Sequence, residues 1–417
     1  IIYFLTSLFM CIKQCNSISL YSGEIMQSHD NSAHAFHSFR NTQVGHIAEY
    51  IEPVGETMKI SDVISVSGDL RSLSSIPVET SRGICLIPVK NLEKKDTLLS
   101  SFKNSEIGKH INCSPTSVEA AENINHVMKK LIDRKDNQFE DFVITHRGRY
   151  LGIGSFMGLT RHISQMKDLE LEKAREIQSF LMRNNLTDKH KISVKTLIKP
   201  ANELGGDFYF SSEVYPGFFI TACFDVSGKN ISASLTTSML GAVFSSLIHS
   251  GKADKMKPGE IIQLLNKVAC DQTPDGIFIT GIVIFSDEQK NEAELYNLGH
   301  TPALVFTNNS EGKKGIKIVN PNILPLGIEK IPDIEKYAQK ITLFDGLKIF
   351  IYSDGLEDMY DKTGERYGDE KLKKFLLSRF SLPCSEIISH LEKEIAEFTE
   401  GAILPDDITV VLSEYSL

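Results

Sequence analysis

The sequence predicts a mixed α/β protein of two domains, with packed sheets flanked by helices in the C-terminal half and a smaller α/β module with a linker helix ahead of them. Three observations predict it. The chain has 417 residues, more than one compact core normally holds. Beyond Asn185 it reads as five or more strands with two pairs of long helices that do not alternate strictly with the strands. Between the halves, Met166 to Asn184 carries no Gly or Pro and is rich in helix formers.

Composition narrows the function classes. With 41% hydrophobic and 24% charged residues there is ample apolar material for a core. A net charge of −9 without a Lys/Arg cluster argues against nucleic acid or an anionic membrane as the main partner, and an acidic chain that binds phosphate needs cations to do so. The seven cysteines are scattered with no CxxC pair, which predicts reduced thiols in a cytoplasmic protein. The apolar run Ile1 to Ile12 is too short to span a bilayer and lacks a basic flank in front. Met26 introduces a polar stretch that reads as a start, so membrane anchor and truncated leader both stand for residues 1–25, and residues 1–46 are set apart as a leader without assigned structure.

Residues 47–164 read as one α/β domain. Ile60 to Ile64 opens a segment, Gly83 to Val89 is a buried-strand run, and Pro115 to Ile132 has helical periodicity. Asp141 to Ser155 is a hairpin signal, two apolar strands around a polar turn that carries Gly148, and a short helix through Leu159 and Ile163 follows. Strand, turn, strand, helix resembles the second half of a CBS pair, clearly over Phe142 to Ile163 and weakly between Ile60 and Cys113. That resemblance implies a regulatory module, either a nucleotide sensor or a ligand-free structural unit. No internal repeat at solenoid spacing is visible.

Residues 165–185 are the linker helix, with Met166, Leu169, Ala174, Ile177 and Leu181 spaced mostly by three or four. Such a stripe packs on its own domain or pairs two chains as a homodimer through a short coiled coil. In residues 186–417 the alternation of Ile192, Val194 and Thr196 and the apolar runs Phe218 to Val226, Ile277 to Phe285, Leu347 to Tyr352 and Ile408 to Leu412 predict strands. Helical spacing appears over Ser234 to Ser250, Pro258 to Cys270, Asp369 to Phe380 and Ser385 to Phe398.

Acidic residues recur at the ends of those strands. Gly205-Gly206-Asp207 precedes one, Asp225-Val226-Ser227-Gly228 closes another, Asp354-Gly355 closes a third, and Asp406-Asp407 opens the last. Taken singly, an Asp beside Gly at a strand end is usually a turn residue that caps backbone. Together they suit a hard divalent cation, which takes carboxylate, carbonyl and water oxygens and offsets the repulsion of an acidic cluster. A Gly-containing turn places the carboxylate beyond a rigid sheet edge and exposes a carbonyl as a further ligand.

The order of motifs then becomes recognisable. Ala174-Arg-Glu-Ile-Gln178, Leu204-Gly-Gly-Asp-Phe-Tyr209, Phe224-Asp-Val-Ser-Gly-Lys229, Phe278-Ile-Thr280, Leu298-Gly-His-Thr-Pro302, Tyr352-Ser-Asp-Gly-Leu-Glu357, Glu365-Arg-Tyr-Gly368 and Asp406-Asp-Ile-Thr-Val410 resemble, in order, the bacterial SpoIIE/RsbU branch of the PP2C (PPM) phosphatases. The resemblance implies an α-β-β-α sandwich with two Mn²⁺ or Mg²⁺ ions, and hydrolysis of phosphoserine or phosphothreonine on a protein by a water that the cations activate. It implies Asp225 as bridging ligand, Asp225 and Asp207 as the catalytic residues, the Val226 carbonyl as a backbone ligand, Asp207 serving the first metal, and Asp354 and Asp406 serving the second, with Asp407 in support. It also implies a substrate class, small STAS-type anti-sigma-factor antagonists, and control by the N-terminal domain. A catalytically silent scaffold and a CBS-type ligand-sensing regulator are the competing readings. His300 is read as ordering a turn, and Asn230 stands where that branch usually has Gly. Ser227-Gly-Lys229 is not a phosphate loop, since the upstream Gly that loop requires would fall at Cys223.

Overall fold

The computed structural model describes residues 39–66, 74–89, 92, 103–111, 115–133, 141–182, 191–228, 231–308 and 314–416. The leader through residue 38, Cys113, the linker beyond Met182, and Lys229 and Asn230 lie outside these ranges. The chain divides into two compact units, Ile1–Met166 and Lys167–Leu417.

In the first unit, β1 (Val54–Gly55), α1 (Ile60–Val66), β2 (Ser75–Thr80) and β3 (Gly83–Pro88) are followed by β4 (Ser117–Glu119), α2 (Ile124–Ile132), β5 (Phe142–His146) and β6 (Arg149–Gly154). β1 runs parallel to β2, and β2 pairs antiparallel with β3. β4, β5 and β6 repeat the same arrangement. The module therefore repeats one strand arrangement, of which the sequence shows the second copy clearly and the first only weakly. The halves are also interlocked. Val44 N and Gly45 N donate to the carbonyls of Glu122 and Ala120 in the second half, while Ile107 N and Gly108 N donate to Met58 and Glu56 in the first. A Cβ at Gly108 would stand 2.8 Å from the Glu56 carbonyl, so this crossing has room for glycine only. The module thus reaches back ahead of residue 47 to include Val44 and Gly45, both buried. Cys85 is disulfide-bonded, which departs from the reduced thiols expected, whereas Cys223, Cys270 and Cys384 are free.

The predicted short helix and linker helix are one element, α3 (Phe156–Leu181), since nothing between Ile163 and Met166 breaks a helix. In the second unit β7 (Ile192–Lys199), β8 (Asp207–Tyr215) and β9 (Phe218–Val226) lead into α4 (Ile231–His249) and α5 (Pro258–Gln272). Then come β10 (Ile279–Asp287), β11 (Glu292–Leu298), β12 (Ala303–Asn308), β13 (Lys314–Val319), β14 (Gln339–Thr342) and β15 (Lys348–Tyr352). The chain closes with α6 (Gly355–Asp358), α7 (Gly368–Ser378), α8 (Cys384–Thr399) and β16 (Ile408–Tyr415).

Two five-stranded sheets result, in the orders β14-β11-β10-β9-β8 and β13-β12-β15-β16-β7. Their facing sides share one apolar layer, to which β9 gives Phe219 and Cys223 and β15 gives Ile349 and Ile351. On its other side β9 turns Phe218, Ile220, Ala222 and Phe224 against α4 and α5. β15 likewise turns Phe350 and Tyr352 against α7 and α8. Strands buried on both faces read as continuous apolar runs, which is why these two are so plain in the sequence. The layering is α-β-β-α. α4 is long and apolar enough to cross a membrane, but its buried side, including Leu240 and Phe244, belongs to the core of the first sheet. Across β15 and β16, Lys348 and Glu414 are register partners joined by a 2.9 Å ion pair.

Candidate active site

β8 and β9 pair so that Asp207 lies directly opposite Asp225. Like charges facing each other across strands repel. Asp207 is 4% exposed, and its Oδ2 has no hydrogen-bond partner. Burial, reinforced by Asp225, pushes its carboxyl well above the usual range, while the side chains of Ser353 and Thr409 act in the opposite direction. A buried carboxylate with an unused oxygen and a like-charged neighbour is a site that a cation would relieve.

The loop in front of Asp207 is fixed from three sides. Asp407, itself buried, accepts from Ala201 N at 2.7 Å and from Gly206 N at 2.6 Å, so both its oxygens are used on backbone. That fits a supporting role. Val226 N donates to the Gly206 carbonyl at 3.3 Å, and a Cβ on Gly206 would stand 3.1 Å from the Val226 carbonyl. From α3, Arg175 Nε donates to the Glu203 carbonyl at 2.7 Å, and Gln178 binds Gly205.

The second sheet brings up Asp354 and Asp406. A Cβ on Gly355 would collide with the Asp407 carbonyl, so the backbone that follows Asp354 lies directly on the Asp406-Asp407 segment, an approach only glycine allows. Ser353 locks the same join. Its N–H donates to the Thr409 carbonyl, and its hydroxyl accepts from Thr409 N at 2.8 Å and donates to the Asp407 carbonyl at 3.1 Å. Asp354 is exposed and Asp406 half-buried, with Asp406 Oδ1 accepting from Asp407 N at 2.9 Å.

All five predicted site residues thus lie at the strand ends that carry this junction: Asp207, Asp225 and Val226 on the first sheet, Asp354 and Asp406 on the second. Among the described residues, however, no three His, Cys, Asp or Glu side chains converge closely enough to hold an ion. The Asp207–Asp225 pair and the loop anchored by Asp407 still supply oxygen donors of the kind Mn²⁺ and Mg²⁺ prefer.

His300 orders a turn, as its sequence context suggests. It follows Gly299, whose φ is +67°, and its N–H donates to Asn297 Oδ1 at 2.9 Å. Its Nδ1 lies 2.9 Å from Thr280 Oγ1, and that hydroxyl also reaches the Asp225 carbonyl at 3.3 Å. The neighbouring Thr301 hydroxyl donates to the Tyr352 carbonyl. Burial lowers the His300 pKa to about 4, against a backbone hydrogen bond with Tyr352 that raises it, so the ring is neutral near pH 7. The residues that sequence reasoning passed over as site residues are Gln178, Ser353 and Thr409. The only signal for them was their place inside the recognised motifs.

Residues 217–416 match the family described as Stage II sporulation protein E (SpoIIE). Protein IcfG of Synechocystis sp. is 26% identical over 272 residues, 58% of this chain and 41% of that protein, so the chain spans less than half of this relative. Phosphoserine phosphatase RsbU of Bacillus subtilis is 24% identical over 254 residues, 60% of this chain and 72% of that one. Among solved structures, the SiaA-PP2C domain of Pseudomonas aeruginosa superposes with a TM-score of 0.51 at 16% identity, covering 61% of this chain and 99% of that domain. The second unit therefore has the PP2C fold, and residues 217–416 within it are similar to the SpoIIE family.

Proposed function

We propose that the second unit is a metal-dependent phosphoprotein phosphatase acting on phosphoserine or phosphothreonine in bacterial signalling. The observation that carries this reading is the buried Asp207 carboxylate, one oxygen unpartnered, held opposite Asp225 at the junction of two sheets. The similarity to a named phosphoserine phosphatase supports it. Asp207, Asp225 and the Val226 carbonyl would hold one Mn²⁺ or Mg²⁺ ion, and Asp354 and Asp406, with Asp225 shared, a second. Such ions supply Lewis-acid stabilisation of phosphate charge and an activated water for in-line displacement, without a covalent phosphoenzyme. The chain's own part is rigidity: Gly206 and Gly355 let the backbones close, while Asp407 and Ser353 hold the two strand ends together.

For the substrate we propose a phosphorylated STAS-type anti-sigma-factor antagonist. For the N-terminal module with its repeated arrangement we propose a CBS-like regulatory role, with a nucleotide as candidate ligand and pairing of two chains along α3 as the means of control. On α3, Leu169, Ile177 and Phe180 are 55%, 63% and 60% exposed, which suits such pairing. The alternatives, a silent scaffold or a pure ligand sensor, predict no turnover. The test is hydrolysis of p-nitrophenyl phosphate and of a phosphoserine peptide by the full chain. Activity should vanish in EDTA and return with Mn²⁺; full activity in chelator overturns the metal reading, and none under any condition favours the scaffold.

A further inference from the structure

Of the long helices packed on the two sheets, α4 alone carries no charge on its solvent side. From Ile231 to Ile248 it has no Asp, Glu, Lys or Arg, and Ile231 and Leu235, one turn apart on the same face, are exposed, Leu235 to 65%. α5, α7 and α8 each turn lysine and glutamate to water, as helices packed on a sheet do. The first turn of α4 stands against the loop ahead of Asp207: a Cβ on Gly206 would lie 3.5 Å from the methyl of Ala233, which sits between Ile231 and Leu235. Phe278, also exposed, is held at the end of β9. Ser227 N donates to the Phe278 carbonyl at 2.9 Å, and Phe278 N donates to the Ser227 hydroxyl at 2.9 Å, one residue beyond Val226. On the second sheet Ile403 is 93% exposed three residues ahead of Asp406, within about 11 Å of it by chain length. Apolar side chains scattered singly over a surface need no partner, but these four border one site. Cations do not border it. In the described loops that flank the site carboxylates, 200–206, 227–228, 355–367 and 400–405, the only basic side chains are Lys362 and Arg366, and both are paired, with Glu400 and Asp358.

We infer that Ile231, Leu235, Phe278 and Ile403 form the docking surface for the phosphoprotein substrate, and that they select a substrate with apolar side chains beside its phosphoserine or phosphothreonine. This rests on the phosphatase reading and deepens it by naming the chemistry that flanks the phosphorylated residue. The occupant follows from place and charge. A phosphorylated side chain can reach Asp207, Asp225, Asp354 and Asp406 only if its carrier covers the surface around them. That surface offers apolar contact and, among the described residues, no unpaired cation. Carboxylates flanking the phosphate would meet like charge there without a compensating Lys or Arg, whereas leucine or valine would displace water from Phe278 and Ile403.

The test uses the full chain with Mn²⁺, p-nitrophenyl phosphate as an ester that engages the metal site alone, and two phosphoserine peptides of equal length, one flanked by leucine and valine and one by aspartate. The parent should prefer the apolar peptide by about tenfold or more in kcat/KM. Leu235→Gln and Ile403→Ser should each lower kcat/KM for the apolar peptide by about fivefold, through KM, with ester turnover within about twofold of the parent. Phe278→Thr, which keeps the backbone bonds to Ser227, should cost about tenfold, as aromatic anchors do. Leu235→Lys should lower the rate on the apolar peptide and raise it on the aspartate peptide by about threefold, a gain that misfolding cannot produce. Ile318→Gln, at an exposed apolar position on β13, should alter neither peptide by more than about twofold. A parent that treats the two peptides alike, or variants that keep its preference, overturn the inference. So does loss of ester and peptide turnover together with a changed sedimentation coefficient, which would make the face of α4 a contact between two copies of the chain. A parent inactive on the ester ends the phosphatase reading and this inference with it; a parent active on the ester whose variants handle both peptides unchanged ends the inference alone.

Discussion

On the first sheet, Asp207 is sealed from solvent opposite a second carboxylate, with one oxygen left without a partner. On the second sheet, Asp354 is exposed and Asp406 half-buried, and water can hydrate the charge of both. Each sheet closes its own end through backbone, at Gly206 against Val226 on the first and at Gly355 against Asp407 on the second, and the Asp407 carboxylate joins the two by accepting from Gly206 N. The difference locates the electrostatic cost of the site on one sheet. A buried carboxylate facing a half-buried one is tolerated only where the surrounding structure holds it, and here Asp407 and Ser353 do so. The exposed pair costs little and contributes reach.

If that contrast is right, the largest effect belongs to Asp225. Replacing it by Asn keeps the shape of β9 but removes the charge that faces Asp207, and turnover with Mn²⁺ should fall on the order of a thousandfold or more with circular dichroism unchanged. Retained turnover would mean that the metal centre lies elsewhere.

The next effect concerns His300, which lies against β10 through Thr280. Its folded pKa of about 4 lies below the ordinary 6.5. Above pH 6.5 the ring is neutral folded or unfolded, and stability is indifferent to it. As pH falls from 6.5 towards 4, the unfolded chain takes up a proton that the folded chain refuses, so stability should drop by roughly 1.4 kcal/mol per pH unit across that window and level off below it. Urea unfolding of the parent and of His300→Gln between pH 7 and pH 4 checks this; parallel curves would remove His300 from the account.

Gly355→Ala tests the backbone join. The added methyl meets the Asp407 carbonyl, and relief requires the two strand ends to part, so we expect about 1–3 kcal/mol of lost stability together with weaker Mn²⁺ binding. Normal stability and binding would show that the join yields freely.

The smallest effects separate the two sheets most sharply. Asp207→Asn should stabilise the metal-free protein by about 1 kcal/mol while abolishing activity, since it removes a buried charge beside another. Asp354→Asn should change metal-free stability by no more than about 0.5 kcal/mol, because the group is solvated. Equal melting shifts for the two variants would erase the contrast.

What the sequence made legible follows the same physics. Phe218 to Val226 could be read as a strand to the residue because both of its faces are buried. The long helices of the second unit were visible within a few residues for a similar reason: each has one apolar side packed on a sheet. The acidic strand ends stood out because glycine accompanies each of the first three. β11 to β14 were not assigned, since they mix polar and apolar residues and depend on neighbours for their pairing. The grip of Gln178 on Gly205 joins residues 27 positions apart, and no local pattern encodes it. The first copy of the repeated arrangement was faint in the sequence because β1 spans only two residues and its half shares little more with the other than scattered apolar positions such as Ile60 and Ile124.

The interlocking of that duplicated module sets an order on how the chain can be made. Val44 and Gly45 find their hydrogen-bond partners about 75 residues further along, and Glu56 and Met58 wait for Ile107 and Gly108. As the polypeptide leaves the ribosome, its first half emerges with those backbone groups facing water and cannot close until much of the second half has followed. These crossings therefore close only once both partners have emerged, although each half has a sheet of its own. A chain interrupted between the halves would leave the N–H groups of Val44 and Gly45 and the carbonyls of Glu56 and Met58 without these partners.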